Sequence, residues 1–228
     1  MRRQAVLSGL IILEIIFSFC VSERALCENS KVLENVSIPA VKYGYKSTLS
    51  RIQDCIKEKN YLKARELCDS LLRYSGDNSE ILYLRAALSQ KMGQKDQAID
   101  DYNVLIRLNL ADARVFNNLA ALYAIKDDFS RAIELLGRAI KEDPRRVEAH
   151  NNLADAFMHI QDYGRALEEY NKVIALEPKN TTALYNLGFL YAKNKDYAKA
   201  KQSWEKVLSI NPKDPDAQKA IQNFSKLN

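Results

Sequence analysis

Apolar and small residues recur along most of the chain with the spacing of paired amphipathic helices. In three segments, apolar positions three and four residues apart share one helix face: RAIELLGRAIKEDPRR, RALEEYNKVIALEPKN and KAKQSWEKVLSINPKD. Their prolines, Pro144, Pro178 and Pro212, stand 34 residues apart. The same interval extended in both directions gives five gapless units: 45–78, 79–112, 113–146, 147–180 and 181–214. The pattern therefore predicts a helical repeat.

One alanine is common to all five units at unit position 20. These alanines are Ala64, Ala98, Ala132, Ala166 and Ala200. A small side chain there lets two antiparallel helices approach closely, while bulky residues at positions 11, 17 and 24 fill the space around the contact. Proline at position 32 ends the second helix. Because one such hairpin cannot bury its own apolar face, we expect neighbouring units to stack.

Both ends of the repeat depart from this pattern. Units one and two carry Arg51 and Arg85 at position 7, and they lack the proline at position 32. After unit five, the segment 215–228 begins with Pro215 in a first helical turn and continues with one apolar stripe. We expect it to form a capping helix at the end of the array.

The repeat resembles the tetratricopeptide repeat (TPR) family over about three quarters of the chain. Unit five carries most of the family pattern, with Leu187, Gly188, Tyr191, Tyr197, Ala200, Trp204 and Pro212. Units three and four match it with Leu119, Ala120, Tyr123, Phe129, Leu153, Ala154, Phe157, Tyr163 and Tyr170. The resemblance implies an all-α fold, a right-handed α-solenoid of about five helix-turn-helix TPR units plus the C-terminal capping helix.

Residues 1–22 follow a different pattern. A short basic start, MRRQ, precedes an apolar run over 5–21 that is interrupted by Glu14, as in an export signal. The run is at the short limit for a bilayer span, and Ser22 suits a cleavage site, so we expect a signal peptide, with a retained signal anchor as the alternative. In both cases the rest of the chain is expected to be exported, periplasmic or extracytoplasmic, with membrane contact only through this segment. Residues 23–44 lack a helical period and are predicted to be a linker.

Composition and motifs narrow the functional class. The net charge is +5 with both signs interspersed, so no basic stripe suggests a nucleic-acid partner. The chain has no HExxH, GxSxG, GxxxxGK or GxGxxG motif. His150 and His159 are nine residues apart and would point to opposite sides of a helix, so we expect no metal site. We expect no enzyme and no cofactor, with His150 in the core and His159 exposed.

Cys55 and Cys68 stand at positions 11 and 24 of unit one, which face the same helix–helix interface. Two alternatives remain open: reduced thiols that pack as small apolar groups, or a disulfide between the paired helices. Export permits a disulfide, but antiparallel pairing places position 11 about one helical turn away from position 24. A zinc site is not expected, because no further cysteine or histidine falls nearby in this register.

The resemblance also implies a functional face, because TPR proteins bind peptides in a concave groove lined by the first helix of each unit. At the family's groove positions this sequence has Tyr83, Asn117, Asn118, Asn151, Asn152, Asp155, Met158, Tyr185, Asn186 and Phe189. A row of amides can hold the backbone of an extended peptide without demanding a particular side chain. The family's carboxylate clamp is not assembled, since Ala121 and Asp155 stand at position 9, so an acidic C-terminal motif is not expected as the ligand.

These observations predict a non-enzymatic protein–protein interaction scaffold or adaptor. It would bind extended peptide segments or partner proteins in the groove, within an envelope assembly. The alternative is a self-associating structural TPR protein with no peptide ligand in the groove, forming a homo-oligomer through its ends or linker.

Overall fold

The computed structural model describes residues 45–225, which form eleven helices and no strand. The helices are α1 Tyr45–Lys57, α2 Tyr61–Ser75, α3 Ser79–Lys91, α4 Lys95–Arg107, α5 Ala113–Ile125, α6 Phe129–Glu142, α7 Val147–His159, α8 Tyr163–Leu176, α9 Thr181–Lys193, α10 Tyr197–Ile210 and α11 Pro215–Ser225. None of them is both long enough and apolar enough to span a membrane. The predicted signal segment 1–22 and linker 23–44 lie outside the described residues.

Helix starts are fixed by asparagine and aspartate side chains. These residues accept a hydrogen bond from a backbone N–H of the first turn at eight of the helices: Asn60, Asn78, Asp112, Asp128, Asp162, Asn180, Asp196 and Asp214. Each such cap satisfies a donor that the helix itself leaves unpaired and stabilises the helix by about 1 kcal/mol.

The two helices of each pair are joined by three-residue turns with one left-handed residue. The turns are 58–60, 92–94, 126–128, 160–162 and 194–196. Their central residues have φ near +60° to +76° and are Lys59, Gly93, Asp127, Gln161 and Lys195. Glycine adopts this conformation readily, whereas other residues pay a steric cost, so four of these five turns carry local strain.

The chain divides into two compact units, with the boundary between Leu110 and Ala111. Described residues 45–110 belong to the first unit, which contains α1 to α4. Its core brings together Ile52, Ala64, Leu67, Cys68, Leu71, Ile81 and Leu88. Cys55 packs against this cluster, and both cysteines are free in the structure. In the structure the two thiols lie in the core as free cysteines, and a disulfide between Cys55 and Cys68 stays open as the alternative.

An arginine is built into the packing of the first unit. The Arg85 guanidinium on α3 donates to Asp69 of α2 at 2.9 Å and to Asp101 of α4 at 2.9 Å. Asp101 is buried, and Arg85 is about three quarters buried. Burial opposes the charge, but the hydrogen bonds and charges of Asp101 and Asp69 outweigh it and raise the pKa of Arg85. The residue is therefore ionised and ties three helices together.

The second unit contains α5 to α11, and its packing depends on aromatic residues and small partners. Trp204 on α10 lies against Gly188 of α9 so closely that a Cβ added at the glycine would be 2.4 Å from the indole nitrogen. The indole N–H donates to the backbone carbonyl of Tyr185 at 3.2 Å. Ala217 of α11 joins the same core cluster, which attaches the last helix to this pair. Contacts between α5 and α7 place the first helices of neighbouring pairs side by side.

Candidate functional site

The predicted groove residues of the second unit lie on its first helices, and we call them the amide face. On α5, α7 and α9 this set contains Asn117, Asn118, Asn151, Asn152, Asp155, Met158, Tyr185, Asn186 and Phe189. Tyr83 lies on α3 of the first unit, half-buried, with its ring 6.0 Å from that of Tyr102. It therefore contributes to the packing of that unit.

Amide side chains of α5 and α7 bond to one another across the helix pair boundary. The Asn152 Nδ2 donates to Asn117 Oδ1 at 2.9 Å, and Asn117 Nδ2 donates to Asn118 Oδ1 at 3.3 Å. Asn117 is buried, so it positions its neighbours and does not itself face solvent. Asn151 has a buried Oδ1 with no hydrogen-bond donor among the described residues. Asn152 keeps its own Oδ1 as an acceptor that no described residue engages.

A second set of hydrogen bonds joins α7, α8 and α9. The hydroxyl of Tyr170 donates to Asp155 Oδ1, and Asn186 Nδ2 donates to that hydroxyl at 2.7 Å. Burial, together with the charge of Asp155, raises the pKa of Tyr170, so the phenol stays protonated and continues to donate. Position 24 of the repeat predicts a core location for Tyr170, but nothing in the repeat pattern predicts its hydrogen bond to Asp155.

A cavity of about 330 Å³ opens beside the amide face, between α5, α6 and α7. Asn152 and Asp155 contribute to its lining, together with Asp127, Ile125 and three alanines of α5. Its aromatic part is a stack of Phe129 and His159, with ring centroids 4.6 Å apart and planes at 14°. Ala121, Ala124 and Ile125 of α5 and His159 of α7 also line the cavity, although they were not among the predicted groove residues. The three α5 side chains carry no polar atom, and His159 was expected only to be exposed.

Tyr185, Phe189 and Met158, which were also predicted for the groove, do not line this cavity. Tyr185 is half-buried, and burial followed by the charges of Asp216 and Asp214 raises its pKa. Phe189 is 38% exposed, with the Lys193 ammonium 5.5 Å from its ring centroid. Met158 is half-buried. These side chains offer apolar surface along the same helices.

His150 is buried and His159 is exposed, as expected. His150 Nδ1 lies 2.6 Å from Glu169 Oε2, and Nε2 lies 3.0 Å from the Pro144 carbonyl oxygen. Both ring nitrogens therefore have partners inside the protein, and the residue has a structural role. In the part of the chain that the structure describes, no group of three or more histidine, cysteine or acidic side chains is arranged to hold a metal ion.

Successive pairs of helices of 13 to 15 residues, each joined by a three-residue turn with one left-handed residue, define a helical-hairpin repeat protein. Models of the tetratricopeptide repeat match residues 80–109, 126–181 and 161–223, which together make up more than half of the chain. The chain belongs to the tetratricopeptide repeat family.

Solved structures of TPR proteins show the same fold. MamA from Desulfovibrio magneticus RS-1 is 17% identical over 75% of this chain and 96% of that one, with a TM-score of 0.67. YrrB, described as a TPR protein with an unusual peptide-binding site, is 18% identical over 85% and 97%, with a TM-score of 0.67. PilF from Pseudomonas aeruginosa is 16% identical over 80% and 83%, with a TM-score of 0.72. No curated protein sequence matches significantly. These likenesses confirm the predicted fold class.

Proposed function

We propose that this chain is a non-enzymatic interaction scaffold that binds an extended peptide segment on the amide face of its second unit. The polar side chains there offer hydrogen bonds to a bound segment and need no cofactor. The peptide-binding site named for YrrB supports the same kind of ligand here.

One observation carries the proposal. Asn152 and Asn186 hold the same position in successive helix pairs, and each commits its Nδ2 to a partner inside the protein. No described residue donates to either Oδ1, so two amide oxygens one repeat apart are available to backbone N–H groups of a ligand. Because their orientation is fixed beforehand, little conformational entropy is lost when a peptide binds.

Partner capture with matched variants tests the proposal. The full-length chain and the double variant Asn152→Ala/Asn186→Ala would be used to recover partners from envelope extracts, followed by titration of synthetic fragments of the recovered partner. We expect about thirtyfold weaker fragment binding by the variant, since two hydrogen bonds are lost and each contributes about 1 kcal/mol. Asn171→Ala, an exposed amide on α8, is the control. Equal affinity of all three proteins would contradict groove binding.

We also propose that the chain acts outside the cytoplasm, in an envelope assembly. Support comes from the basic start and apolar run of residues 1–22. Fusion of residues 1–30 to alkaline phosphatase, which folds only after export, should give an active reporter. N-terminal sequencing of the mature protein then separates cleavage after Ser22 from a retained anchor, and an inactive reporter would refute export.

A further inference from the structure

The charged residues that line the cavity between α5, α6 and α7 are acidic. Asp127 and Asp155 are among its lining residues, and no lysine or arginine is. Neither carboxylate forms an ion pair within residues 45–225. Nearby acidic side chains behave differently, since Asp128 pairs with Arg131 at 3.3 Å and Asp162 with Arg165 at 2.6 Å. The cavity therefore combines two carboxylates that lack a cationic partner in the described chain.

Asp155 is held in position before any ligand arrives. Its Oδ1 accepts from Tyr170, and Asn186 Nδ2 lies 3.5 Å from the same oxygen. No described residue donates to Oδ2, although the residue is exposed at the cavity. A carboxylate that is oriented by one oxygen and open at the other is suited to a charged hydrogen-bond donor.

The rest of the lining matches a long side chain that is apolar along its stem and flat at its end. Ala121, Ala124 and Ile125 provide short apolar contacts, against which methylene groups can pack. The parallel rings of Phe129 and His159 provide a planar surface, on which a guanidinium stacks well. The cavity volume lies at the lower end of the range for small-ligand pockets, which suits one side chain.

We infer that this cavity is a subsite for a basic side chain, with arginine preferred over lysine, presented by the extended peptide that the amide face binds. The inference rests on the proposed function, because the amide face supplies the contacts to the peptide backbone. The subsite would give the groove a preference for a positively charged ligand side chain. The amides alone bind the peptide backbone and would not distinguish one ligand side chain from another.

A positional-scanning octapeptide library tests this preference. One fixed position carries Arg, Lys, Gln, Leu or Glu, and the other seven are randomised. With the purified full-length chain, we expect arginine pools to bind about tenfold more tightly than glutamine pools, because a hydrogen bond to a charged group contributes roughly 1.5–3 kcal/mol. Lysine pools should rank between them, and glutamate pools last.

Substitutions in the cavity should remove the preference for arginine without abolishing peptide binding. In Asp127→Asn/Asp155→Asn, arginine and glutamine pools should bind alike, since asparagine keeps the shape and loses the charge. Ala124→Leu should also remove the preference for arginine, because the larger side chain fills the cavity and keeps the arginine side chain out. Glu134→Gln, an exposed carboxylate on α6 that does not line the cavity, should keep the arginine preference.

The outcomes separate the subsite from the groove. If the wild-type chain binds library peptides with no preference for basic residues, the subsite is refuted and groove binding stands. If no pool binds, N-acetyl-arginine amide is titrated while the methyl resonances of Ala121, Ala124 and Ile125 are followed. Shifts that disappear in Asp127→Asn/Asp155→Asn would support the subsite even then, and their absence from the wild-type chain would refute it.

Discussion

The two compact units use the same helix pair and fill one central position differently. In the first unit, position 7 holds arginine in both pairs, and Arg85 bonds to Asp69 and Asp101 on the helices either side of it. In the second unit, the same position holds Leu119, Leu153 and Leu187, all buried. The repeat backbone thus accepts either an ion-paired or an apolar centre, provided that the neighbouring helices supply matching side chains.

The ion-paired centre of the first unit and the apolar centres of the second unit should lose stability in different ways when one residue is substituted. An apolar centre loses contacts gradually as volume is removed, whereas a buried charge that loses its partner keeps its full desolvation cost. The first unit should therefore be the more sensitive to changes of charge, and the second to changes of volume.

Arg85→Leu should have the largest effect. The substitution introduces the leucine found at this position in the second unit but leaves the buried Asp101 without its cation, at a cost of about 3 kcal/mol. Chemical denaturation followed by circular dichroism measures this loss. Adding Asp101→Leu and Asp69→Leu should recover most of the stability, because an apolar centre then replaces the ion pairs. A mild effect of Arg85→Leu alone would show that water reaches Asp101.

Gly188→Ala tests the volume limit of the second unit. The added methyl group meets the Trp204 indole, and overpacking of this kind costs about 1–3 kcal/mol. Gly137→Ala on α6 is the matched control, since nothing lies within 4 Å of the new Cβ. There we expect a gain of roughly 0.5–1 kcal/mol from helix propensity. Thermal unfolding measures the melting temperature of both variants. Equal shifts of the melting temperature would contradict a special volume limit at Gly188.

Turn substitutions should have smaller and opposite effects in the two units. Gly93→Ala in the first unit forces a side chain into a left-handed conformation at a cost of about 1 kcal/mol. Gln161→Gly in the second unit relieves the same strain and should stabilise by a similar or smaller amount, roughly 0.5–1 kcal/mol. Denaturation midpoints measure both changes. Loss of stability in Gln161→Gly would mean that its side chain contributes more than the strain costs.

Thiol labelling measures how well the core of the first unit protects its two cysteines, without a substitution. Burial, reinforced by the charge of Asp69, raises the pKa of Cys68 to about 12, so little thiolate forms at neutral pH. The half-buried Cys55 should react first with iodoacetamide, and Cys68 only as the first unit opens. Mass spectrometry of the labelled chain follows each site. Protection of both until a reductant is added would establish the disulfide.

Much of the fold follows from the sequence because the 34-residue period reports helix pairing directly. The alanine at position 20 and the aromatic residues at positions 11, 17 and 24 define the contacts within a pair. The Arg85 ion pairs were not predicted, although Asp69 and Asp101 each stand sixteen residues away, a symmetry that could have indicated them.

The site could be predicted only in part. Family register places Asn152 and Asp155 on the correct helices, but it cannot tell that Asn117 is buried while Asn152 retains an open acceptor. That difference depends on hydrogen bonds between helices of successive pairs. The cavity is harder still, because Asp127 and His159 come together through the packing of two pairs, and neither residue is unusual at its own position.

The constant three-residue turns make the repeat modular. An insertion of a single residue in a turn would rotate the following helix by about 100° and move its amides away from the shared face. Duplication of a complete 34-residue segment within the second unit would instead keep every position in phase. Such a chain could gain another amide oxygen and a longer binding face in one genetic step, with no loss of the contacts already present.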